Sequence, residues 1–166
     1  MTTESIAIGI GGNVGTHDEL VARFARAREA LSILGRVRSA LLYRTAPIGP
    51  AQPPFLNTAL LLHADDMEPG ELISTMLELE RQLGRDRSTT PRWGPRLIDL
   101  DVLAWGDRVI RTPELDVPHP RLAERRFALV PLADLLGEDA TVPGVGVLRE
   151  ALARVRDQQL ELVGDW

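Results

Sequence analysis

The alternation of apolar and polar positions predicts a strand and then a helix at the start of the chain. An apolar run over residues 5–10 predicts a buried strand, and the glycines that follow it predict a tight turn. Thr16 and Glu19 have the spacing of a capping box, and apolar residues then recur at helical intervals until Gly35. The members of this stripe are Leu20, Phe24, Ala27, Leu31 and Leu34.

Two more strands and a second helix follow. Residues 38–44 and 56–63 have the composition of strands, and a proline-rich segment, TAPIGPAQPP, separates them. Pro69 lies in the first turn of a predicted helix that ends at Gly84. The apolar stripe of this helix consists of Leu72, Ile73, Met76, Leu79 and Leu83.

The rest of the chain has shorter elements. The predicted ones are a strand over 97–105, an extended segment over 113–120, short helical pieces within 121–136, a helix over 148–156 and a strand over 160–163. The order β, α, β, β, α, β matches the split βαβ plan of a ferredoxin-like sheet with helices packed on it. We therefore expect an α+β fold that forms one compact domain over residues 1–166.

Composition excludes several kinds of chemistry. The chain has 166 residues, of which 44% are apolar, and this is enough for the core of one domain. All 19 basic residues are arginine, and cysteine is absent. A catalytic lysine, a thiol nucleophile, a disulfide and a cysteine-ligated metal are therefore excluded.

Charge and hydropathy narrow the possible partners. The net charge is −5, which argues against binding of nucleic acid through the overall field of the protein. No apolar run approaches the roughly 20 residues of a membrane span, and residues 1–15 do not resemble a signal peptide. We expect a cytoplasmic monomer that binds neither nucleic acid nor a membrane.

Two carboxylates stand out in the strand predicted at 97–105. Asp99 and Asp101 are two positions apart, so the period of a strand places both on one face, while Leu100 faces the core. Such a pair suits Mg²⁺ that carries substrate phosphates. A solvated strand face neutralised by Arg92 or Arg96 is an equally plausible interpretation from the pair alone.

The segment before this strand is rich in arginine. Residues 81–96 contain five arginines, namely Arg81, Arg85, Arg87, Arg92 and Arg96. Guanidinium groups bind phosphates in a bidentate manner. Trp93 lies in the same segment, and a tryptophan is costly to expose in a merely solvated loop. Together with the acidic pair, this segment indicates phosphoryl transfer.

Four other residues could contribute to a site. Asn13 and Asn57 are the only asparagines, and each could bind a heterocycle edge or merely stabilise a turn. His119 lies between two prolines and is the histidine with the most functional context. Phe127 could stack on an aromatic substrate, although packing in the core is more frequent for such a residue.

Four segments of the chain carry a family resemblance. The most specific is RWGPRLIDLDVLAWGD at 92–107, and the others are YRTAPIG at 43–49, FLN at 55–57 and VPHPRLAERRF at 117–127. In order and spacing they resemble the 6-hydroxymethyl-7,8-dihydropterin pyrophosphokinases of folate biosynthesis. The resemblance extends from the first predicted strand nearly to Trp166.

The resemblance implies transfer of pyrophosphate from ATP to the hydroxymethyl group of a reduced pterin, with release of AMP. It implies four catalytic residues: Asp99 and Asp101, which hold two Mg²⁺ ions, and Arg85 and Arg96, which act on the triphosphate. The ATP contacts that it implies are Ile73, Arg87, Trp93, Arg96, Val102, Leu115, Asp116, His119 and Arg125. The pterin contacts that it implies are Thr45, Pro47, Ile48, Phe55, Asn57 and Phe127.

Other functions agree less well with these sequence features than pyrophosphate transfer does. A nucleotidyltransferase also pairs a glycine turn with two aspartates, but here Gly12 and Asp99 are far apart in sequence. A ferredoxin-like module that senses a ligand or binds RNA would leave the acidic pair without a purpose. A relative that binds pterin and ATP without turnover is a further alternative. Gly12, Phe55, Leu77 and Pro120 depart from the usual family residues, but none of these departures removes a metal ligand.

Overall fold

The strands and helices follow the predicted order. The structure is a computed structural model that describes residues 2–47, 51–85 and 94–166. The strands of these residues are β1 (Thr3–Gly12), β2 (Arg36–Ser39), β3 (Leu42–Thr45), β4 (Phe55–Asp65), β5 (Asp99–Trp105), β6 (Ile110–Arg111), β7 (Asp116–Val117), β8 (Thr141–Val142), β9 (Gly146–Val147) and β10 (Glu161–Gly164). The helices are α1 (His17–Leu31), α2 (Pro69–Gln82), α3 (Arg126–Leu136) and α4 (Leu148–Arg154), with a 3-10 turn over Leu122–Glu124.

The main sheet has the predicted ferredoxin-like topology. Its order is β10-β3-β4-β1-β5, β2 also pairs with β4, and these pairings are antiparallel. Helix α1 connects β1 to the β2–β3 region, and α2 connects β4 to β5. The α+β fold expected from the order of elements is therefore confirmed.

The prediction of one strand over residues 38–44 is wrong in detail. Ser39 pairs with Leu60, and Tyr43 pairs with Asn57. The pairing therefore advances by four residues along this segment but by only three residues along β4. The extra residue produces a bulge between β2 and β3. The hydroxyl of Thr58 donates there to the backbone oxygens of Ala40 and Leu41, at 3.3 and 2.9 Å.

The first helix is shorter than its apolar pattern suggests. Its capping box is present, as predicted, but α1 ends at Leu31 rather than near Gly35. Ile33 is 85% exposed and takes no part in the core. A Cβ atom on Gly35 would lie 2.1 Å from the backbone oxygen of His63, so a glycine is needed where the chain enters β2.

Helices cover both faces of the sheet. On one face, side chains of α1 and α2 pack against the even-numbered positions of β1, such as Ile6 and Ile8. On the other face, α3 and α4 pack against Ala7, Ala59 and Leu103. Among the described residues, no helix is both long enough and apolar enough to span a membrane. Polar side chains at one end of the α3 face form the site described next.

Candidate active site

The central strands form the floor of a cavity of about 400 Å³. Asp99 and Asp101 lie on this floor, and Leu100 points into the opposite core, as the strand period predicts. Gly11 of β1 pairs with Asp99, and Gly9 pairs with Asp101. Because glycine has no side chain, the floor beside the two carboxylates stays open.

The cavity lining includes an amide and two aromatic rings. Asn57 is buried, and its Nδ2 donates a hydrogen bond to Oγ1 of Thr45 at 2.8 Å. Phe55 at the start of β4 and Phe127 in the first turn of α3 also line the cavity. The lining therefore combines apolar faces with hydrogen-bonding groups, which suits a flat polar heterocycle.

The cavity lining also contains basic side chains. Arg96, Arg121 and Arg125 line the cavity together with His119. Burial lowers the pKa of the Arg125 guanidinium, and its Cζ lies 5.6 Å from the ring centroid of Phe127. Arg125 remains charged at any working pH, so the cavity suits an anionic ligand.

The imidazole of His119 is held in one orientation. Its Nδ1 accepts a hydrogen bond from the backbone N–H of Arg121 at 3.2 Å, so the neutral ring carries its proton on Nε2. Burial is the main cause that lowers the pKa of His119, and the charge of Arg125 lowers it further. A neutral ring that donates from Nε2 can therefore bind a phosphate oxygen near neutral pH.

Arg85 does not line the cavity but contacts one of its two carboxylates, that of Asp99. Its side chain is only 6% exposed, and its Nη1 donates both to Asp99 and to Oε2 of Glu80. Oε1 of Glu80 accepts the backbone N–H of Leu100 at 3.1 Å. Arg85 thus links the end of α2 to β5 and partly neutralises Asp99.

The predicted site residues divide into two groups. The structure brings together around the cavity Thr45, Phe55, Asn57, Arg96, Asp99, Asp101, His119, Arg125 and Phe127. It places outside the cavity lining Pro47, Ile73, Arg85, Val102, Leu115 and Asp116. Val102 and Leu115 pack with the α1 and α2 core, and Asp116 is exposed on β7. Ile48, Arg87 and Trp93 lie outside the described residues.

Sequence reasoning missed Glu80 and the two floor glycines. Glu80 is 2% exposed and lies on the apolar face of α2 with Leu72, Met76 and Leu79. An acidic residue within an apolar helical stripe is a signal that could have identified it. The roles of Gly9 and Gly11 depend on strand pairing, for which the sequence offers no local signal.

Comparisons with known proteins show the family of this chain. A family model described as 7,8-dihydro-6-hydroxymethylpterin-pyrophosphokinase (HPPK) matches residues 7–137. A Pseudomonas aeruginosa protein named 2-amino-4-hydroxy-6-hydroxymethyldihydropteridine pyrophosphokinase is 35% identical over 151 residues, which are 90% of this chain and 91% of that protein.

Other relatives are longer than this chain. A Synechocystis protein of the same name is 37% identical over 129 residues, which are 77% of this chain and 64% of that protein. The mitochondrial folate synthesis bifunctional protein of Arabidopsis thaliana is 39% identical over 142 residues, and the match covers 82% of this chain and 24% of that protein. The chain therefore spans less than two thirds of these two relatives.

A solved structure confirms the fold. A structure titled as HPPK-DHPS in complex with substrates has a TM-score of 0.71 at 11% identity and covers 93% of this chain and 43% of that chain. At this identity the solved structure shows the fold alone. The family model and the relatives of similar length show the family. The chain belongs to the 7,8-dihydro-6-hydroxymethylpterin-pyrophosphokinase family.

Proposed function

We propose that this protein transfers pyrophosphate from ATP to the hydroxymethyl group of 6-hydroxymethyl-7,8-dihydropterin in folate biosynthesis and releases AMP. The observation that carries the proposal is that Asp99 and Asp101 share the lining of one cavity with basic side chains and with aromatic and amide side chains. A triphosphate bound by the basic side chains and a pterin bound by the aromatic and amide side chains would meet above the two carboxylates.

The residues present fit Mg²⁺. Asp99 and Asp101 provide hard oxygen donors on one strand face, and glycines lie opposite them in β1. Within the described residues no group of three or more histidine or acidic side chains is arranged so that it could hold a metal ion by itself, so phosphate oxygens and water would complete the coordination. Bound Mg²⁺ would neutralise phosphate charge and hold the triphosphate in place.

The protein's own groups would position both substrates. Arg96, Arg125 and Nε2–H of His119 would bind phosphate oxygens. Phe55 and Phe127 would hold the pterin ring, and Asn57 would bind its amide edge. Contacts of ATP with Ile73, Arg87, Trp93, Val102, Leu115 and Asp116 remain part of this proposal, as do pterin contacts with Pro47 and Ile48.

The reaction is a displacement at the β-phosphorus. The hydroxymethyl oxygen forms a bond to the β-phosphorus. At the same time, the bond between the β-phosphorus and the oxygen that bridges it to the α-phosphate breaks. AMP leaves with the electron pair of that bond, and the alcohol proton passes to water. Such a transfer depends more on in-line placement and charge neutralisation than on a strong base.

Product analysis tests the proposal. The protein is mixed with ATP, Mg²⁺ and the hydroxymethyl pterin, and AMP and pterin pyrophosphate are quantified. We expect equal amounts of both products and none when Mg²⁺ is chelated. Formation of ADP, or no product although both ligands bind, would overturn the proposal and favour the alternative of a silent binding protein.

Matched variants test the acidic pair. Asp99→Asn and Asp101→Asn should each lower kcat by at least about 10²-fold, since each removes a negatively charged metal ligand. Asp107→Asn changes an exposed aspartate just beyond the end of β5 and should keep wild-type activity. Wild-type rates in either of the first two variants would exclude a metal-binding role for that aspartate.

A cytoplasmic location and a monomeric state of the protein remain predictions.

A further inference from the structure

Asn13 is a buried polar residue just outside the cavity lining. It follows β1 directly and is 1% exposed. Asp66 is the only non-glycine residue with a positive φ in the part of the chain that the structure describes, so Asn13 does not serve the turn through a left-handed backbone. The reason for an asparagine at this position must therefore lie in the bonds of its side chain.

The amide oxygen of Asn13 binds the segment that carries Arg96. Oδ1 accepts the backbone N–H of Arg96 at 2.8 Å. The carbonyl oxygen of Arg96 accepts the backbone N–H groups of Asn13 and Val14, at 2.9 and 3.2 Å. Both backbone polar groups of Arg96 are thus bonded to the turn after β1, which fixes the backbone of this cavity-lining residue.

The amide nitrogen of Asn13 binds a different segment. Nδ2 donates to Oε1 of Gln52 and to the backbone oxygen of Pro53, both at 2.9 Å. This segment leads within two residues to Phe55, which lines the cavity. One buried side chain thus connects the segment before Phe55 to the segment that carries Arg96, which also lines the cavity.

We propose that Asn13 is a positioning residue that couples the binding of the two substrates, an inference that rests on the proposed function. A pterin held by Phe55 orders the Gln52–Pro53 segment, and a triphosphate held by Arg96 orders the opposite segment. Because the same amide bonds both, ordering one segment lowers the cost of ordering the other, and each ligand raises the affinity for its counterpart.

The experiment measures the coupling directly. The dissociation constant of the hydroxymethyl pterin is determined by calorimetry, with and without saturating Mg²⁺ and an ATP analogue whose α,β-bridging oxygen is replaced by methylene. The ratio of the two constants is the coupling factor. In the wild type we expect this factor to be at least about fivefold, the lower end of typical coupling between sites.

Three variants separate coupling from folding. Asn13→Asp keeps the acceptor for Arg96 but loses both donors to the Gln52–Pro53 segment, and Asn13→Ala loses both connections. Gln52→Ala removes the acceptor of one hydrogen bond of Asn13 at a partly exposed position. This variant therefore provides the test if the Asn13 variants fail to fold. We expect the coupling factor to approach one in both Asn13 variants and to fall by at least about twofold in Gln52→Ala, with each single-ligand affinity less affected.

A structural control completes the design. Tyr43→Phe removes a buried hydrogen bond to Asp134, at 2.6 Å, away from both segments, so it should lower stability and keep the coupling factor. If the folded Asn13 and Gln52 variants kept the coupling factor of the wild type, the inference would be wrong. It would also be wrong if the coupling factor of the wild type itself were near one. In both cases the proposed function would stand. Failure of the wild type to bind either ligand would instead refute the proposed function.

Discussion

The guanidinium of Arg85 is buried against the carboxylate of Glu80, with 3.0 Å between Nη1 and Oε2. The same Nη1 donates to Asp99, the first of the two carboxylates on the cavity floor. A buried pair of this kind contributes little when complete, but the loss of one partner leaves an uncompensated charge. Glu80 therefore affects the position of Arg85 and, through it, the charge at Asp99.

Removal of the Glu80 charge should destabilise the protein. Glu80→Gln is expected to lower the free energy of unfolding by about 2–4 kcal/mol, since Arg85 loses a buried counter-charge. Urea denaturation measures the change. Glu78→Gln is the matched control, because Glu78 lies on the exposed side of the same helix and pairs with Arg81. Equal midpoints for the two variants would contradict this role of Glu80.

Arg85 and Arg96 should respond differently to truncation. Arg85→Ala removes the guanidinium that neutralises the buried carboxylate of Glu80, so we expect a loss of about 3 kcal/mol in the free energy of unfolding. Arg96→Ala keeps the backbone bonds to Asn13 and should lower kcat by about 10²-fold or more with little change in stability. Single-turnover kinetics and urea denaturation of both variants provide the comparison. A stable Arg85→Ala protein would show that the buried pair is dispensable.

A methyl group on the cavity floor should weaken pterin binding. A Cβ on Gly11 would lie 3.0 Å from Oδ1 of Asn57, so Gly11→Ala displaces the amide that is proposed to bind the pterin. We expect a rise of about tenfold in the dissociation constant of the pterin, roughly the value of one hydrogen bond. Gly70→Ala is the control, because a Cβ there has no neighbour within 4 Å. An unchanged affinity in Gly11→Ala would argue against a pterin contact by Asn57.

His63 should make stability depend on pH. Burial lowers the pKa of His63 below 6.5, and the charges of Arg36 and Arg38 lower it further. The unfolded chain therefore binds this proton more readily, so the stabilising contribution is complete above about pH 6.5 and is lost as the pH falls toward the folded pKa.

Unfolding measured at pH 7.5 and pH 5.5 tests this dependence. The loss of free energy of unfolding between the two values should be smaller in His63→Gln than in the wild type. The variant His17→Gln changes an exposed residue at the start of α1 and should show the wild-type loss. Identical losses in all three proteins would exclude a contribution from His63.

Features that arise from local backbone geometry could be predicted from the sequence. The capping box at Thr16 and Glu19 forms as predicted, because its bonds join residues three positions apart. Asp99 and Asp101 share one face of β5, because side chains alternate along any strand. The order of strands and helices then sufficed for the ferredoxin-like topology.

The contacts between residues distant in sequence could not be predicted in the same way. The pairing of Gly11 with Asp99, the burial of Arg85 against Glu80 and the bulge between β2 and β3 each depend on long-range register and packing. The same holds for Asn13, whose turn was predicted but whose bonds reach Gln52 and Arg96. Periodicity within a segment reports which way a side chain points, whereas its partner depends on how the whole chain packs.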